Sequence, residues 1–295
     1  MISSVDKRVV IAVFFKIMGV FLGFLLSVIS VKLLDEDQFS TLFYYIGLVY
    51  LLGPLVLFGF DLVVLKEAYV FYETDKKEDL GLLVLQSLLV TFTVSLFVAI
   101  VSGFYFRDLF VVCSFFACVL GFSWSLMFKE VFRSCEKFVF SVVVSSILPN
   151  VLMLLLFLIA SLQGELSWRE YLFVSAVAFL LPSLLSIFLI WKRVSWGGVA
   201  NKFMSRVKVG GACVIGACAD VMIIRGDLIV AGWVLGVESV SGYIVAQKIA
   251  TFSVFLFEPI WASVSVGVSK AIREQQEGGA WAQVSARAYI CTTSK

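Results

Sequence analysis

The sequence predicts an all-α membrane protein that crosses the bilayer several times. The chain of 295 residues is 61% hydrophobic and only 15% charged, with a mean hydropathy of +1.03. Soluble domains are typically about 45–50% apolar and about 25% charged. The apolar residues also fall in blocks of about 20, the length that a helix needs to cross the hydrocarbon core. Both observations exclude a soluble domain, and the net charge of +2 gives no reason to expect nucleic acid as a partner.

The apolar blocks predict eight transmembrane helices. They lie at residues 9–31, 39–60, 81–103, 108–128, 139–162, 171–191, 209–235 and 242–268. The first block is too long for the apolar part of a secretory signal, and no cleavage site of small residues follows it. We therefore expect it to remain as a helix.

Lysine and arginine residues predict the orientation of these helices. With the N-terminus inside, seventeen of the 23 basic residues fall on the cytoplasmic side and three on the other side, while three lie within helices. Cytoplasmic loops of membrane proteins carry such an excess of positive charge. We therefore expect both termini in the cytoplasm.

The longest connection between blocks, residues 192–208, is also the most basic. It predicts a cytoplasmic linker between a first lobe of six helices at 1–191 and the first two helices of a second lobe at 209–268. The remaining residues, 269–295, are expected to form a cytoplasmic tail that leads towards a missing helix.

A weak internal repeat agrees with this division. The stretch VKLLDEDQFSTLFYY at 31–45 aligns with GWVLGVESVSGYIVA at 232–246. In both, a block ends, a short acidic turn follows and an aromatic residue opens the next block. The last two helices are then expected to repeat the first two in the same orientation, as in some transporters.

Nothing in the sequence indicates a catalytic or metal site. Histidine, the commonest general base and metal ligand, is absent from the chain. The six cysteines are scattered, mostly in apolar blocks, where cysteine behaves as a small hydrophobic residue. The connections on the outer side are too short for the catalytic loop of a membrane glycosyltransferase or polymerase. We expect a protein that is not an enzyme.

The segment ADVMIIRGDLIV at 219–230 places Asp220, Arg225 and Asp227 inside one apolar block. An Asp or Arg at the centre of an inserted helix costs about 2.5–3.5 kcal/mol. Such groups are therefore expected to face a wet cavity or a partner helix. Other blocks contribute Lys16, Lys248 and Glu258. These charges predict either a polar transport path or ion pairs that only fix helix packing.

Three stretches of the chain resemble one family of transporters: KLLDEDQFSTLFYY (32–45), LFGFDLVVLKEA (57–68) and GDLIVAGWVLGVESVSGYIVAQKI (226–249). The family is that of Wzx-type polysaccharide flippases, within the superfamily that includes the MATE drug exporters. The resemblance implies two six-helix lobes around a central cavity that opens to each side in turn. With eight helices the second lobe would be incomplete, and we expect a truncated product or a partial sequence.

The resemblance also implies a substrate. This is an undecaprenyl-pyrophosphate-linked oligosaccharide, such as an O-antigen unit, moved across the bacterial inner membrane. Cations in the cavity would offset the desolvation of its phosphates, and arginine suits phosphate through its planar fork. We expect Arg225, Lys248 and Lys16 to contact the substrate. The acids Asp220, Asp227 and Glu258 are expected to hold these cations in place, or to bind a coupling proton or sodium ion. No other cofactor is expected.

Two further expectations follow from the resemblance. Asp61 is a candidate gate residue at the inner face, although it also fits, with Lys66 and Glu67, a solvated loop. Further partners would be membrane lipid, a polysaccharide polymerase and a chain-length regulator. The alternative functions are a MATE-like drug or cation antiporter and a remnant without transport activity. An antiporter should carry acids in its first lobe, where the first helix has Lys16 and no acid.

Overall fold

The computed structural model describes residues 7–162, 164, 167–191, 203–237 and 240–255, and every regular element in these ranges is a helix. The helices are α1 (Lys7–Leu33), α2 (Glu36–Val56), α3 (Phe60–Glu73), α4 (Lys77–Tyr105), α5 (Leu109–Ser134), α6 (Phe138–Val142), α7 (Leu148–Ser161), α8 (Trp168–Trp191), α9 (Phe203–Leu235) and α10 (Ser241–Phe255). A π-helical segment, Val143–Ile147, joins α6 to α7.

The protein is an all-α polytopic membrane protein, as predicted. Five single helices (α1, α2, α4, α5 and α8) and the continuous unit of α6, the π segment and α7 are long and apolar enough to cross a membrane. These six match the first six predicted blocks. The seventh is bent by 55° between Phe203–Ile223 and Gly226–Leu235. The eighth is described only as far as Phe255, because the rest of block 242–268 lies outside the described residues.

Helix α5 lies at the centre of the first six spans and packs against α2, α3, α4, α6 and α8. Helix α5 approaches α8 closely at Gly121, where an added Cβ would lie 2.8 Å from the backbone of Phe179 and Leu180. Beside this contact, Ser183 Oγ donates to Gly121 O at 2.8 Å. Without a hydrophobic driving force between helices in lipid, such small residues and interhelical hydrogen bonds hold spans together.

Helices α9 and α10 pack onto the first two helices of the chain. Helix α9 runs along α2, and α10 contacts both α1 and α2. Gly59, at the turn between α2 and α3, has φ +71, and a Cβ there would lie 2.2 Å from Gly210 O of α9. The turn and the start of α9 therefore touch backbone to backbone. Helix α9 begins at Phe203, inside the segment 192–208 that the sequence predicted as linker.

Helices α3 and α5 end in the same kind of turn at the same end of the bundle. At the end of α5 the N–H of Lys137 donates to Phe132 O at 2.8 Å, and the N–H of Glu136 donates to Arg133 O at 3.0 Å. This is the Schellman pattern, which needs a left-handed residue and usually has glycine there. Here Glu136 fills that position with φ 56. A side chain in that conformation costs about 1–2 kcal/mol.

Glu136→Gly is expected to raise the free energy of unfolding by about 0.5–1 kcal/mol. Glycine adopts the left-handed conformation without strain, but its greater backbone freedom in the unfolded chain offsets part of this gain. The matched control is Glu78→Gly in the first turn of α4, a right-handed helical position. That variant should lose up to about 1 kcal/mol. Unfolding in mixed micelles measures both, and equal effects of the two variants would contradict the role of the left-handed turn.

Candidate functional site

A cavity of about 520 Å³ lies inside the bundle, between α1, α2, α5, α7 and α8, with Ile249 of α10 at its edge. Aromatic and aliphatic side chains form most of its wall. The polar side chains on the wall are Lys16, Tyr50, Lys129, Ser145, Ser146 and Asn150. None of the described residues that line it is a carboxylate. The described part of the wall thus presents two ammonium groups, and its hydroxyl and amide groups can hydrogen-bond an anion.

The π segment shapes the polar side of this cavity. It brings Ser145 and Ser146 to the wall just before Pro149, whose ring lacks an N–H for the helix ladder. Asn150 Nδ2 donates to Ser146 O at 2.8 Å in its own helix and to Gly19 O of α1 at 2.9 Å. Single-turn π segments inside α-helices often occur at functional sites. Here the segment joins the polar residues of one span to the backbone of α1.

Lys16 is the predicted substrate contact that the structure brings to the cavity. It lies on α1, is buried, and its Nζ donates to Ser146 Oγ at 3.3 Å. Gly19, one turn further along α1, lets the π segment approach closely, because a Cβ there would lie 3.0 Å from Ser146 Cβ. The ammonium group is thus fixed at the cavity wall beside a hydroxyl, in a position where a bound anion can reach both groups.

Lys129 supplies a second cation that sequence reasoning placed in an inner loop. It lies inside α5, with its Nζ 3.7 Å from Glu130 Oε1. Glu130 Oε2 is also 3.1 Å from Arg133 Nη1, so two cations share this carboxylate. Lys129 therefore places an ammonium group at the cavity wall and also contacts a carboxylate that it shares with Arg133.

Asp61, the predicted gate residue, lies near this cluster at the start of α3, outside the candidate spans. Its Oδ1 atom is buried and has no hydrogen-bond partner among the described residues. Burial raises the pKa of its carboxyl above the ordinary value, and the nearby charge of Glu130 raises it further. Asp61 is therefore not a solvated loop residue, and its side chain does not line the cavity.

Asp227 is held by α10. Tyr243 Oη donates to its Oδ2 at 2.5 Å, and Gln247 Nε2 donates to its Oδ1 at 2.7 Å. These partners are neutral donors. The predicted roles of Asp227, holding a cation in place or binding a coupling ion, stay predictions, because the side chains of Arg225 and Lys248 lie outside the described part of the structure. The carboxylate links the second segment of bent helix α9, Gly226–Leu235, to α10, but it is not among the residues that line the cavity.

The other predicted site residues are less well defined. Asp220 is exposed on α9, on the opposite side of the bend from Asp227. Arg225 lies in the break itself, and Lys248 lies on α10, but the side chains of both are outside the described part of the structure. Glu258 also lies outside the described residues. Of the six predicted intramembrane groups, the structure thus brings Lys16 to the cavity and gives Asp227 a different set of partners.

The ion pair between Arg206 and Glu67 was not predicted from the sequence. Arg206, counted as a linker cation, is buried on α9, and its Nη2 lies 2.7 Å from Glu67 Oε2 of α3. Its Nη1 donates to Gln86 Oε1 of α4 at 2.7 Å, and its guanidinium lies over the ring of Phe71. Glu67 is therefore not a free solvated residue. The sequence did offer one sign of this contact: Gln86 is a single amide inside the apolar block 81–103, and such a buried polar group needs a partner.

Comparison of the chain with protein-family models, with curated proteins and with solved structures finds no match. Any function assigned to the chain therefore rests on its own residues.

Proposed function

We propose that the chain binds the pyrophosphate headgroup of a lipid-linked oligosaccharide in this cavity and moves the lipid across the bacterial inner membrane. The observation that carries the proposal is the pair of lysines, Lys16 and Lys129, on an apolar wall without a described carboxylate. Moving a phosphate out of water is unfavourable unless fixed charges and hydrogen bonds replace its hydration. Two ammonium groups with serine and asparagine side chains offer that replacement.

The size of the cavity agrees with a headgroup site. At about 520 Å³ it falls within the range of small-ligand pockets, about 300–1,000 Å³. Such a volume suits a pyrophosphate with its first sugar, and the rest of the oligosaccharide would extend beyond it. The aromatic wall residues Tyr50 and Phe122 would then face the sugar ring.

The packing of the last two helices supports movement by alternating access. If α9 and α10 repeat α1 and α2 about a two-fold axis, contact of α9 with α2 requires the reciprocal contact of α10 with α1. Both contacts are present. The bend of 55° in α9 also suits a transporter, where broken helices line the substrate path.

A MATE-like antiporter for drugs or cations has less support. A cationic substrate needs acidic groups at its site, because the desolvated positive charge must be offset. Among the described residues, Glu130 already has two cationic partners and Asp227 hydrogen-bonds Tyr243 and Gln247. Asp61 has a buried oxygen without a hydrogen-bond partner and is the acid that best fits a cation site, but it does not line the cavity.

Lys16→Ala is expected to weaken binding of undecaprenyl pyrophosphate by about tenfold or more. A hydrogen bond to a charged group contributes about 1.5–3 kcal/mol, which is lost with the ammonium group. Binding to the purified chain is measured in detergent, with undecaprenol as the ligand without phosphate. Lys32→Ala, at the exposed end of the same helix, is the matched control and should bind like the unchanged protein.

Equal binding of the pyrophosphate lipid by Lys16→Ala and Lys32→Ala would contradict the headgroup site. The same variants in a strain that lacks its own flippase then test transport through the amount of surface polysaccharide. Resistance to cationic dyes in place of polysaccharide rescue would favour the antiporter.

A further inference from the structure

A second pocket lies at the end of the bundle that holds the turns after α3 and α5, the predicted cytoplasmic end. Its volume is about 580 Å³, and it is bounded by α3, α4, α5, α6 and α8. It is separate from the cavity that contains Lys16, since no lining residue is shared. We refer to it as the helix-end pocket.

The buried part of the helix-end pocket has an apolar wall. Leu80, Val131 and Phe132, from α4 and α5, are buried at its wall, and Ile190 of α8 closes the inner side. At its edge Phe140 is 53% exposed and Tyr72 is 48% exposed. The pocket therefore opens on the surface of the bundle. Helix α8, which supplies Leu189 and Ile190 to the wall, also exposes the apolar side chains of Leu185 and Phe188. An exposed apolar helix surface of this kind suits contact with acyl chains.

The mouth of the helix-end pocket carries charges of both signs. The two turns supply Asp75 and Lys137, and Lys77 opens α4. Lys77 Nζ is 3.2 Å from Asp75 Oδ1, and both side chains are well exposed. The pair is therefore hydrated and weak in itself, so that another ion can replace either partner at little cost.

This arrangement matches the chemistry of one kind of ligand. Apolar walls suit an acyl chain, two lysines suit a phosphate, and a carboxylate suits an ammonium group that donates hydrogen bonds. Basic pockets between transmembrane helices on the cytoplasmic side bind the phosphates of anionic lipid headgroups. Here Asp75 adds a carboxylate to the two lysines, so the mouth also offers a partner for a positively charged group. An anionic lipid would leave Asp75 facing its phosphate, whereas a choline headgroup has no N–H to donate to that carboxylate.

We propose that the helix-end pocket binds phosphatidylethanolamine from the adjacent leaflet. One acyl chain lies between Leu80, Phe132 and Ile190. The phosphate contacts Lys77 and Lys137, and the ethanolammonium contacts Asp75. The lipid thereby bridges the turns after α3 and α5 and fastens the inner ends of α4 and α8.

Native mass spectrometry of the delipidated full chain tests this site. The chain is mixed with phosphatidylethanolamine, phosphatidylglycerol and phosphatidylcholine that carry the same acyl chains. One ethanolamine lipid should be retained in preference to the other two. Each of Lys77→Ala and Lys137→Ala should weaken its retention by about fivefold, the effect of about 1 kcal/mol per basic residue near a lipid headgroup. Lys66→Ala is the matched control, because Lys66 is exposed on α3 but does not line the pocket.

A filling variant keeps the test independent of charge. Leu189→Trp, on the pocket wall, should reduce retention of all three lipids while the protein stays folded by circular dichroism. Preference for the glycerol or choline lipid would overturn the proposal, as would unchanged retention in Lys77→Ala, Lys137→Ala and Leu189→Trp. Binding of undecaprenyl pyrophosphate should be unaffected by these variants, so failure here is distinguishable from failure of the proposed transport site.

Discussion

Glu67→Ala is expected to lower the free energy of unfolding by about 3–5 kcal/mol, because it leaves the buried charge of Arg206 without its partner. The Arg206 side chain is 3% exposed, while that of Glu67 is 30% exposed. Little solvent reaches the guanidinium in the folded protein, and its remaining hydrogen bond to Gln86 is to a neutral group. Unfolding in mixed micelles measures the loss.

The reverse variant separates this explanation from a general loss of contacts. Arg206→Ala leaves Glu67, which solvent can reach, and should cost less than Glu67→Ala. The double change Glu67→Leu with Arg206→Leu removes both charges and should recover most of the stability, since apolar pairs often replace buried ion pairs without loss. If Arg206→Ala proves the more damaging of the two single changes, the argument from burial is wrong.

Gly210→Ala should be the most damaging small substitution on α9, with a loss of about 3 kcal/mol. A Cβ at this position would lie 2.6 Å from the backbone oxygen of Phe58, so α9 would have to move away from the turn between α2 and α3. Backbone atoms cannot rotate away as a flexible side chain can. Unfolding in mixed micelles should show a large loss, and crosslinking between the turn and α9 should decrease.

The same helix provides the control. Apart from its chain neighbours and the adjacent backbone of α9, no described residue has a heavy atom within 4 Å of the position that a Cβ on Gly216 would occupy. Gly216→Ala should therefore keep stability, or raise it by up to about 1 kcal/mol through the better helix propensity of alanine. Similar losses for Gly210→Ala and Gly216→Ala would show that the contact with the turn is not what limits the position.

Much of the fold could be predicted from the sequence, because one physical requirement dominates it. Backbone groups in hydrocarbon must be satisfied within the helix, so apolar blocks of sufficient length become spans. This is why the six predicted blocks up to residue 191 match helical spans. Helix α3 was not predicted, since its apolar side is buried against α4, α5 and α9 rather than against lipid.

The candidate site was less predictable, because the burial of each charged side chain and the groups that it contacts depend on how the helices pack. Lys16 was identified as an isolated charge in an apolar block, and it does line the cavity. Lys129 and Arg206 were assigned to loops from their position at the ends of blocks, yet both lie inside helices. Asp227 was expected to hold a cation in place or to bind a coupling ion, and its hydrogen bonds to a tyrosine and a glutamine on the next helix were not predicted. Such pairings cannot be read from helix periodicity alone.

The π segment has a consequence for how this span responds to a change of length. Its wider turn holds about one residue more than an α-helical turn. In an unbroken α-helix, one extra residue would rotate everything after it by about 100°. The π turn takes up that residue locally, so α7 keeps the facing that brings Asn150 to Gly19 of α1. Deletion of one residue within Val143–Ile147 should therefore convert the segment to α-helix and keep the contact between Asn150 and Gly19.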